Sequence, residues 1–314
     1  MIGEILTPRR DRRTIERELA RGMTRQRNSD LTEKTVYLAD VGQRKHDERA
    51  SNKGRGLKIG HDHSLAEYIE QKIIEEKYSP DAVIGEIKAK EQQFDVTVCT
   101  KTVYNMIDAG VFLNLSNKDL PVKREGKTRP YKQVRKVALN NSKGRSIEER
   151  PPEIENRKEY GHWEMDCVEG SGKACLLVMT ERMTRQELIF KLAAKTQNCV
   201  IEVIDELERR CGKHFNTCFR SITMDNGGEF LDMKSLERSC FDSEKKRTTC
   251  YYAHPYSAFE RGSNENQNKL IRRFVPKGSS IERLSEPDVK RIEHWMNNYP
   301  RKIFEYKTAN DMAA

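Results

Sequence analysis

Three carboxylates stand where phosphodiester chemistry would need them. Asp166 interrupts an apolar run, bracketed by Trp163, Met165 and Val168, where a carboxylate is costly unless it is paired or holds a cation. Asp225 ends the run Ser221-Ile-Thr-Met, and Gly227 and Gly228 behind it let the backbone turn sharply. Glu265 begins a helix just after Arg261-Gly262-Ser263. Gathered at one edge of a sheet, three such acids would repel, and a bound divalent cation removes that penalty. Hard oxygen donors without a Cys/His set point to Mg²⁺ or Mn²⁺ rather than zinc. Two such ions ~4 Å apart activate a water or 3′-hydroxyl and stabilise the leaving oxygen of an in-line displacement. Arg272, seven residues after Glu265 on the same helix face, is placed to hold a phosphate beside them. Spacing by itself fits surface acids that carry no metal equally well.

Neighbouring polar residues take supporting parts. Glu164 shares a strand face with Asp166 and reads as a support rather than a ligand. Glu229 reads as a helix-start charge satisfied by the dipole. His162 and His254 read as structural polar contacts, Asn264 and Asn266 as positioning or capping groups around Glu265, and Trp163 and Trp295 as core. Cys211, His214 and Cys218 have the wrong spacing for zinc and no fourth ligand nearby.

The elements that must position the acids follow from periodicity. From Gly161 the pattern alternates: strands at His162–Val168, Ala174–Thr180, Glu187–Leu192, Ser221–Met224 and Thr248–Tyr252, and helices at Asn198–Arg210, Gly228–Arg238, Asn264–Phe274 and Glu286–Asn298. Three consecutive strands followed by alternating helices and strands predict a mixed α/β sheet with helices on its faces. Upstream, residues 1–115 read as helical and polar, with little strand patterning. Ser64-Leu-Ala-Glu67 has the form of a capping box for a helix over Leu65–Lys77, Ser79-Pro80 starts a second, and Thr97–Gly110 carries a third with Val103, Met106 and Ile107 inward. In a helix-turn-helix the last of these lies in the major groove, presenting Lys101, Thr102 and Asn105 to bases or phosphates. Thr14–Arg21 looks like another recognition-type helix, with no room before it for partner helices; the expectation is a remnant or a chain that begins earlier. Residues 31–60, ending in Ser51-Asn-Lys-Gly-Arg-Gly, read as a flexible connection.

Composition frames the partners. The chain has 314 residues, a net charge of +9, 34% charged residues and 36% hydrophobic ones, enough for two or three domains, with no apolar run of the ~18–20 residues that a membrane span needs. The start lacks an apolar secretory core, so a cytoplasmic, nucleoid-associated protein with reduced thiols is expected, and no membrane partner. Nearly all the excess charge falls in one stretch: Lys123, Arg124, Lys127, Arg129, Lys132, Arg135, Lys136, Lys143 and Arg145 against the lone acid Glu125. Its Pro, Gly and Asn content marks an extended linker, and its charge suits a polyanion backbone. The division expected is a truncated helical segment over 1–60, a helix-turn-helix domain over 61–115, a basic linker over 116–155 and a catalytic domain over 156–314.

Four separated blocks carry a resemblance: Arg150-Pro-Pro-Glu-Ile-Glu-Asn-Arg-Lys-Glu-Tyr-Gly-His-Trp-Glu-Met-Asp166, Thr223-Met-Asp-Asn-Gly-Gly-Glu-Phe230, His254-Pro-Tyr-Ser-Ala-Phe-Glu-Arg-Gly-Ser-Asn-Glu-Asn266 with Phe274-Val-Pro-Lys-Gly278, and Asn297-Asn-Tyr-Pro-Arg-Lys302 with Lys307-Thr-Ala. In this order over roughly residues 80–310 the chain resembles the IS30 family of bacterial insertion-sequence transposases. The resemblance implies an RNase H-like integrase core with a five-stranded mixed sheet, and an Asp, Asp, Glu triad that maps onto Asp166, Asp225 and Glu265 with two Mg²⁺ or Mn²⁺ ions. It implies an N-terminal helix-turn-helix on double-stranded DNA, with Arg272, Lys269, Arg261, Lys101, Thr102, Asn105 and the linker cations as DNA contacts. The implied activity is cleavage at element ends and transfer of 3′-hydroxyl ends into target DNA by a homo-oligomer. The sequence departs from the family in two places. Asp225 and Glu265 lie further apart than usual, with the surplus around Ser239–Thr248, where a surface loop is expected, and Ala258-Phe259 replaces a Pro-Trp pair. A catalytically idle DNA-binding regulator is the alternative; all three acids being present favours the enzyme.

Overall fold

The computed structural model describes residues 10–51, 56–121, 144–254, 260 and 262–314, and the chain divides into two compact units, residues 1–62 and residues 63–314. The linker cations from Lys123 to Lys143, as well as Arg261, Ala258 and Phe259, lie outside the described residues.

In the first unit helix α1 (Arg12–Gly22) leads into an antiparallel hairpin, β1 (Met23–Arg27) against β2 (Glu33–Tyr37), and then helix α2 (Ala39–Ser51). The hairpin corrects the expectation of helices alone, and α2 corrects that of a flexible connection over 31–60. Both strands are almost wholly exposed, so they lack the alternation that marks a half-buried strand. A Cβ on Gly22 would fall 2.3 Å from the Tyr37 ring, so only glycine lets the helix end close on the hairpin.

The second unit starts with α3 (His63–Ile74), α4 (Pro80–Ala89) and α5 (Thr100–Asp108). Because α3 begins at His63, the position before the helix belongs to Asp62, not Ser64. Ser79 caps α4, its Oγ accepting from Ala82 N at 3.2 Å with Pro80 in the first turn. Leu65, Ile69, Ile73, Val83, Val103 and Ile107 are fully buried between the three.

The sheet that follows has the order β5-β4-β3-β6-β7, an RNase H-like arrangement. Strands β3 (His162–Glu169), β4 (Cys175–Glu181) and β5 (Glu187–Leu192) form an antiparallel meander, and β6 (Ser221–Met224) and β7 (Thr249–Tyr252) run parallel to β3. Alternation sorts the faces. Trp163, Met165, Leu177 and Met179 face a core closed by α6 (Gln197–Cys211), whereas Val168, Leu176 and Val178 face one closed by α8 (Gly262–Ile271) and α9 (Glu286–Asn298). Between α6 and α8 the expected helix over 228–238 is shorter: a 3-10 turn at Gly228–Phe230, then α7 (Met233–Glu237), restarted by Asp232, which accepts from Ser235 N at 3.1 Å. The chain ends in α10 (Ala309–Ala313).

The surplus around Ser239–Thr248 is clasped rather than loose. Arg247, 1% exposed, pairs with Asp205 at 2.5 Å and Glu208 at 3.1 Å, and Glu208 also accepts from Ser239 Oγ and Cys240 N.

The helical part docks directly on the last elements of the sheet part. Trp295 Nε1 donates to the Glu76 carbonyl at 2.6 Å, Ser79 Oγ meets Tyr299 OH at 3.0 Å, and Tyr306 OH donates to Asp81 Oδ2 at 3.1 Å. Arg273 donates to the Lys77 carbonyl and stacks over Trp295 and Tyr299. Trp295, read as core, is thus a half-buried junction residue, whereas Trp163 is core as expected.

Candidate active site

The parallel pairing of β3 with β6 ends at Glu164↔Thr223; Asp166 lies two residues further along β3, on the same face as Glu164, and Asp225 directly follows β6. That face is covered by α8. Asn264 N donates to Glu164 Oε2 at 3.3 Å, and one turn on Asn268 Nδ2 donates to Asp166 Oδ2 at 2.7 Å. Asp166 Oδ1 accepts from Cys167 N at 3.0 Å, and Asp225 Oδ1 accepts from Gly227 N at 2.9 Å. A Cβ on Gly227 would lie 2.8 Å from Asp225 Oδ1, so the turn after β6 leaves no room for a side chain beside the carboxylate.

Glu265 lies on the same helix, three residues before Asn268, but it is exposed and its Oε1 pairs with Lys269 Nζ at 3.0 Å. Asp166 thus lies on β3 under the covering helix, Asp225 just beyond the end of β6, and Glu265 on the covering helix, turned to a lysine. Among the described residues no group of three His, Cys, Asp or Glu side chains is close enough to hold a metal ion. The donor chemistry fits a hard divalent cation: an aspartate on β3, another just beyond the neighbouring β6, and a glutamate one helical turn from a residue that already touches the first aspartate.

Beneath the acids lies a buried charge network. Glu164 is fully buried and pairs with Arg182 Nε at 3.4 Å; Arg182 also reaches Glu155, and Arg150 donates to Thr223 Oγ1 at 3.0 Å. Burial, reinforced by the neighbouring Arg182 charge, pushes Arg150 down to about 10. Glu164 thus supports the strand rather than facing solvent. Glu229 does stand in the first turn of the Gly228–Phe230 3-10 helix, but it is buried and pairs at 3.1 Å with Lys195, which also bridges to Glu169. His162 bonds Ser221 Oγ and Glu159, and His254 bonds Glu260 at 2.7 Å, which raises its pKa. Cys211, His214 and Cys218 form no metal cluster, and all eight cysteines are free thiols.

At the C-terminal end of α8 a cavity of about 460 Å³ is lined by Lys77, Lys118, Lys269, Arg272, Arg273 and Lys277, with Asp119 as the lone acid. Burial lowers the Arg272 pKa. Lys101 and Asn105 of α5 are exposed, opposite the buried Val103, Met106 and Ile107, while Thr102 is half-buried with its hydroxyl 3.2 Å from Cys99 Sγ. Sequence reading passed over Asn268, although its place one turn after Glu265 was a usable signal. It also passed over Lys77, Lys118 and Lys277, which are distant in sequence and meet only through the fold.

No family model matches the chain. It is 36% identical over 225 residues to a probable transposase for the insertion-like sequence element IS1161 of Streptococcus salivarius, covering 70% of this chain and 60% of the relative. It is 29% identical over 313 residues to the transposase for insertion sequence element IS4351 of Bacteroides fragilis, covering 96% and 86%. It is 26% identical over 245 residues to transposase InsI for insertion sequence element IS30A of Escherichia coli (strain K12), covering 76% and 62%. The chain thus spans about three fifths of the length of the first and third of these relatives. Among the described residues no helix is long and apolar enough to cross a membrane.

Proposed function

This chain is a homologue of the IS30-family insertion-sequence transposases, and on that premise we propose that it cleaves DNA at element ends and joins the 3′-hydroxyl ends to target DNA. The observation that carries this reading is Asp166 on β3, bonded by Asn268 of the covering helix that also bears Glu265, with Asp225 directly after the neighbouring β6. Asp166, Asp225 and Glu265 would hold Mg²⁺ or Mn²⁺. When bound, the ions supply Lewis-acid activation of the attacking oxygen and stabilisation of the leaving one. Asn268 orients Asp166, and the Gly227 amide orients Asp225. Lys269 beside Glu265 and Arg272 at the end of the same helix would take phosphates, and Lys101 and Asn105, exposed on α5, would face DNA. Double-stranded DNA at element ends and target is the proposed substrate, with a homo-oligomer assembled on it.

The test is a strand-transfer assay with DNA carrying the element's terminal repeats and Mg²⁺. The wild type yields joined products, whereas Asp225→Ala binds the same DNA and yields none; undiminished joining by Asp225→Ala overturns the reading. The Glu265–Lys269 ion pair favours a second reading, a catalytically idle DNA-binding regulator. That reading fails if wild-type joined products appear, and hydrolysed nicks without joining indicate a nuclease instead.

A further inference from the structure

The closing block Asn297-Asn-Tyr-Pro-Arg-Lys302 takes no part in the chemistry proposed above, yet it builds a wall of a second cavity. A space of about 530 Å³ opens beside the first turn of α8, between the start of α4 and residues Tyr299 to Ile303. Four cations line it, Arg157, Arg185, Arg301 and Lys302, against a single carboxylate, Asp81. That carboxylate is engaged, one oxygen accepting from Thr100 Oγ1 and the other from Tyr306 OH.

The two buried cations are held by neutral partners instead. Arg185 and Arg301 are each 8% exposed and neither has an ion pair among the described residues. Arg185 donates to the neutral Ser263 Oγ in the first turn of α8. Arg301 donates to Gln267 Oε1 at 2.8 Å and to the Met296 carbonyl at 2.9 Å, and its Nε is buried without a hydrogen-bond partner. Burying guanidinium groups without a carboxylate is unfavourable. Burial, and then the charges of Arg157, Arg301 and Arg182, push Arg185 down to about 10. Arg157 and Arg185 both sit in the left-handed region, at φ 51° and 62°, a conformation that persists only where the surroundings hold it. Glu187 attracts Arg301 and Glu164 attracts Arg185 without an ion pair to either arginine, so the cleft still gathers more cations than it pairs, and an anion relieves them.

We propose that this cavity is a second phosphate clamp on bound DNA, with Arg157, Arg185, Arg301 and Lys302 gripping a backbone phosphate on the opposite side of Glu265 from Arg272. The proposal rests on the DNA-processing reading above. Planar guanidinium groups match phosphate oxygens in pairs. Ser263 stands in the first turn of α8 and Arg272 directly after its last residue, its N–H bonded to the Asn268 carbonyl, so the two ends of the helix, each with a basic cavity, stand ~14 Å apart, about four base-pair rises, with Glu265 between them. A strand laid across α8 meets both.

The test uses the full chain, a fluorescein-labelled duplex of about 40 base pairs, and anisotropy across a NaCl series. Arg157 and Lys302 are exposed, so Arg157→Gln with Lys302→Gln leaves the fold intact, which the urea midpoint checks. The double variant should flatten the slope of log affinity against log salt by about 0.9 for each phosphate that it no longer neutralises. Arg209→Gln with Arg210→Gln, on the exposed end of α6, should leave it unchanged. An unaltered slope in the Arg157/Lys302 variant overturns the clamp. So does a thermal stabilisation by inorganic phosphate that the variant loses while its DNA slope stays at the wild-type value, because the occupant is then a free anion. A wild type that does not bind the duplex at all fails the parent reading instead, so the two failures are distinct.

Discussion

Asp166 is fixed by a main-chain donor on one oxygen and by Asn268 on the other, so its carboxylate is oriented by a residue of the helix that carries Glu265. Supporting donors of this kind typically matter 10- to 100-fold. Asn268→Ala should slow strand joining by about that factor and shift the Mn²⁺ dependence to higher concentration, while DNA affinity holds; joining at the wild-type rate would remove Asn268 from the site. A different residue sets a pH dependence. Glu187 is fully buried, and desolvation raises its pKa well above 4.5 although Arg301 and the Thr180 hydroxyl oppose the rise. A carboxyl raised on folding contributes stability that is whole below its unfolded pKa and is lost as pH climbs toward the folded value. Glu187→Gln should therefore leave the urea midpoint nearly unchanged near pH 4 and raise it relative to the wild type at pH 8. The sequence singles out Asp166 and Asp225 because a carboxylate inside Trp-Glu-Met-Asp-Cys-Val, or ahead of Asn-Gly-Gly, has few structural reasons to exist. The side chain of Glu265, turned to Lys269, was not legible, because an i,i+4 partner competes with a ligand role and spacing cannot decide between them.

Elements were readable where they are half or wholly buried. Strands β5 and β6 and helix α9 fall where periodicity put them, and a sheet with one face on α6 and the other on α8 and α9 follows from alternation along β3 and β4. The N-terminal hairpin escaped because Thr-Arg-Gln-Arg and Glu-Lys-Thr-Val are polar on both faces. The clasped Ser239–Thr248 loop escaped because Arg247 finds Asp205 and Glu208 some forty positions back. Removing one member of a buried pair leaves the rest uncompensated, so Arg247→Met should lower unfolding stability by ~3–5 kcal/mol in urea titrations; a loss under ~1 kcal/mol would make the clasp dispensable. The docking of α4 has its own signature. A Cβ on Gly85 would fall 1.9 Å from the Tyr306 ring, so Gly85→Ala should cost ~1–3 kcal/mol. Adding Tyr306→Ala should recover part of that loss, and simple additivity of the two would mean that they do not touch.

For the whole molecule, composition announced a polyanion partner, and the greater part of its excess charge sits in the stretch around Lys123–Lys136, outside the described residues. The described cations add the cavity of Lys77, Lys118, Arg272 and Lys277. Lys118→Gln with Lys277→Gln should reduce the salt slope of DNA binding by ~1–2, and an unchanged slope would place the DNA elsewhere. The division at Asp62 predicts that a chain beginning at His63 unfolds at the same urea midpoint as the full one. What composition and periodicity left unread is the bond between the helical part and the sheet part, since Ser79 and Tyr299 are 220 positions apart. On the proposed function, that bond bears on where DNA would be cut. Trp295, Tyr299 and Tyr306 are seated against Glu76, Ser79 and Gly85, which ties the helices ahead of the sheet to its last elements. On the proposed function, inserting a base pair between the sequence that α5 reads and the element tip should move the nick by one nucleotide and keep it at constant distance from the read sequence, rather than let the nick follow the tip.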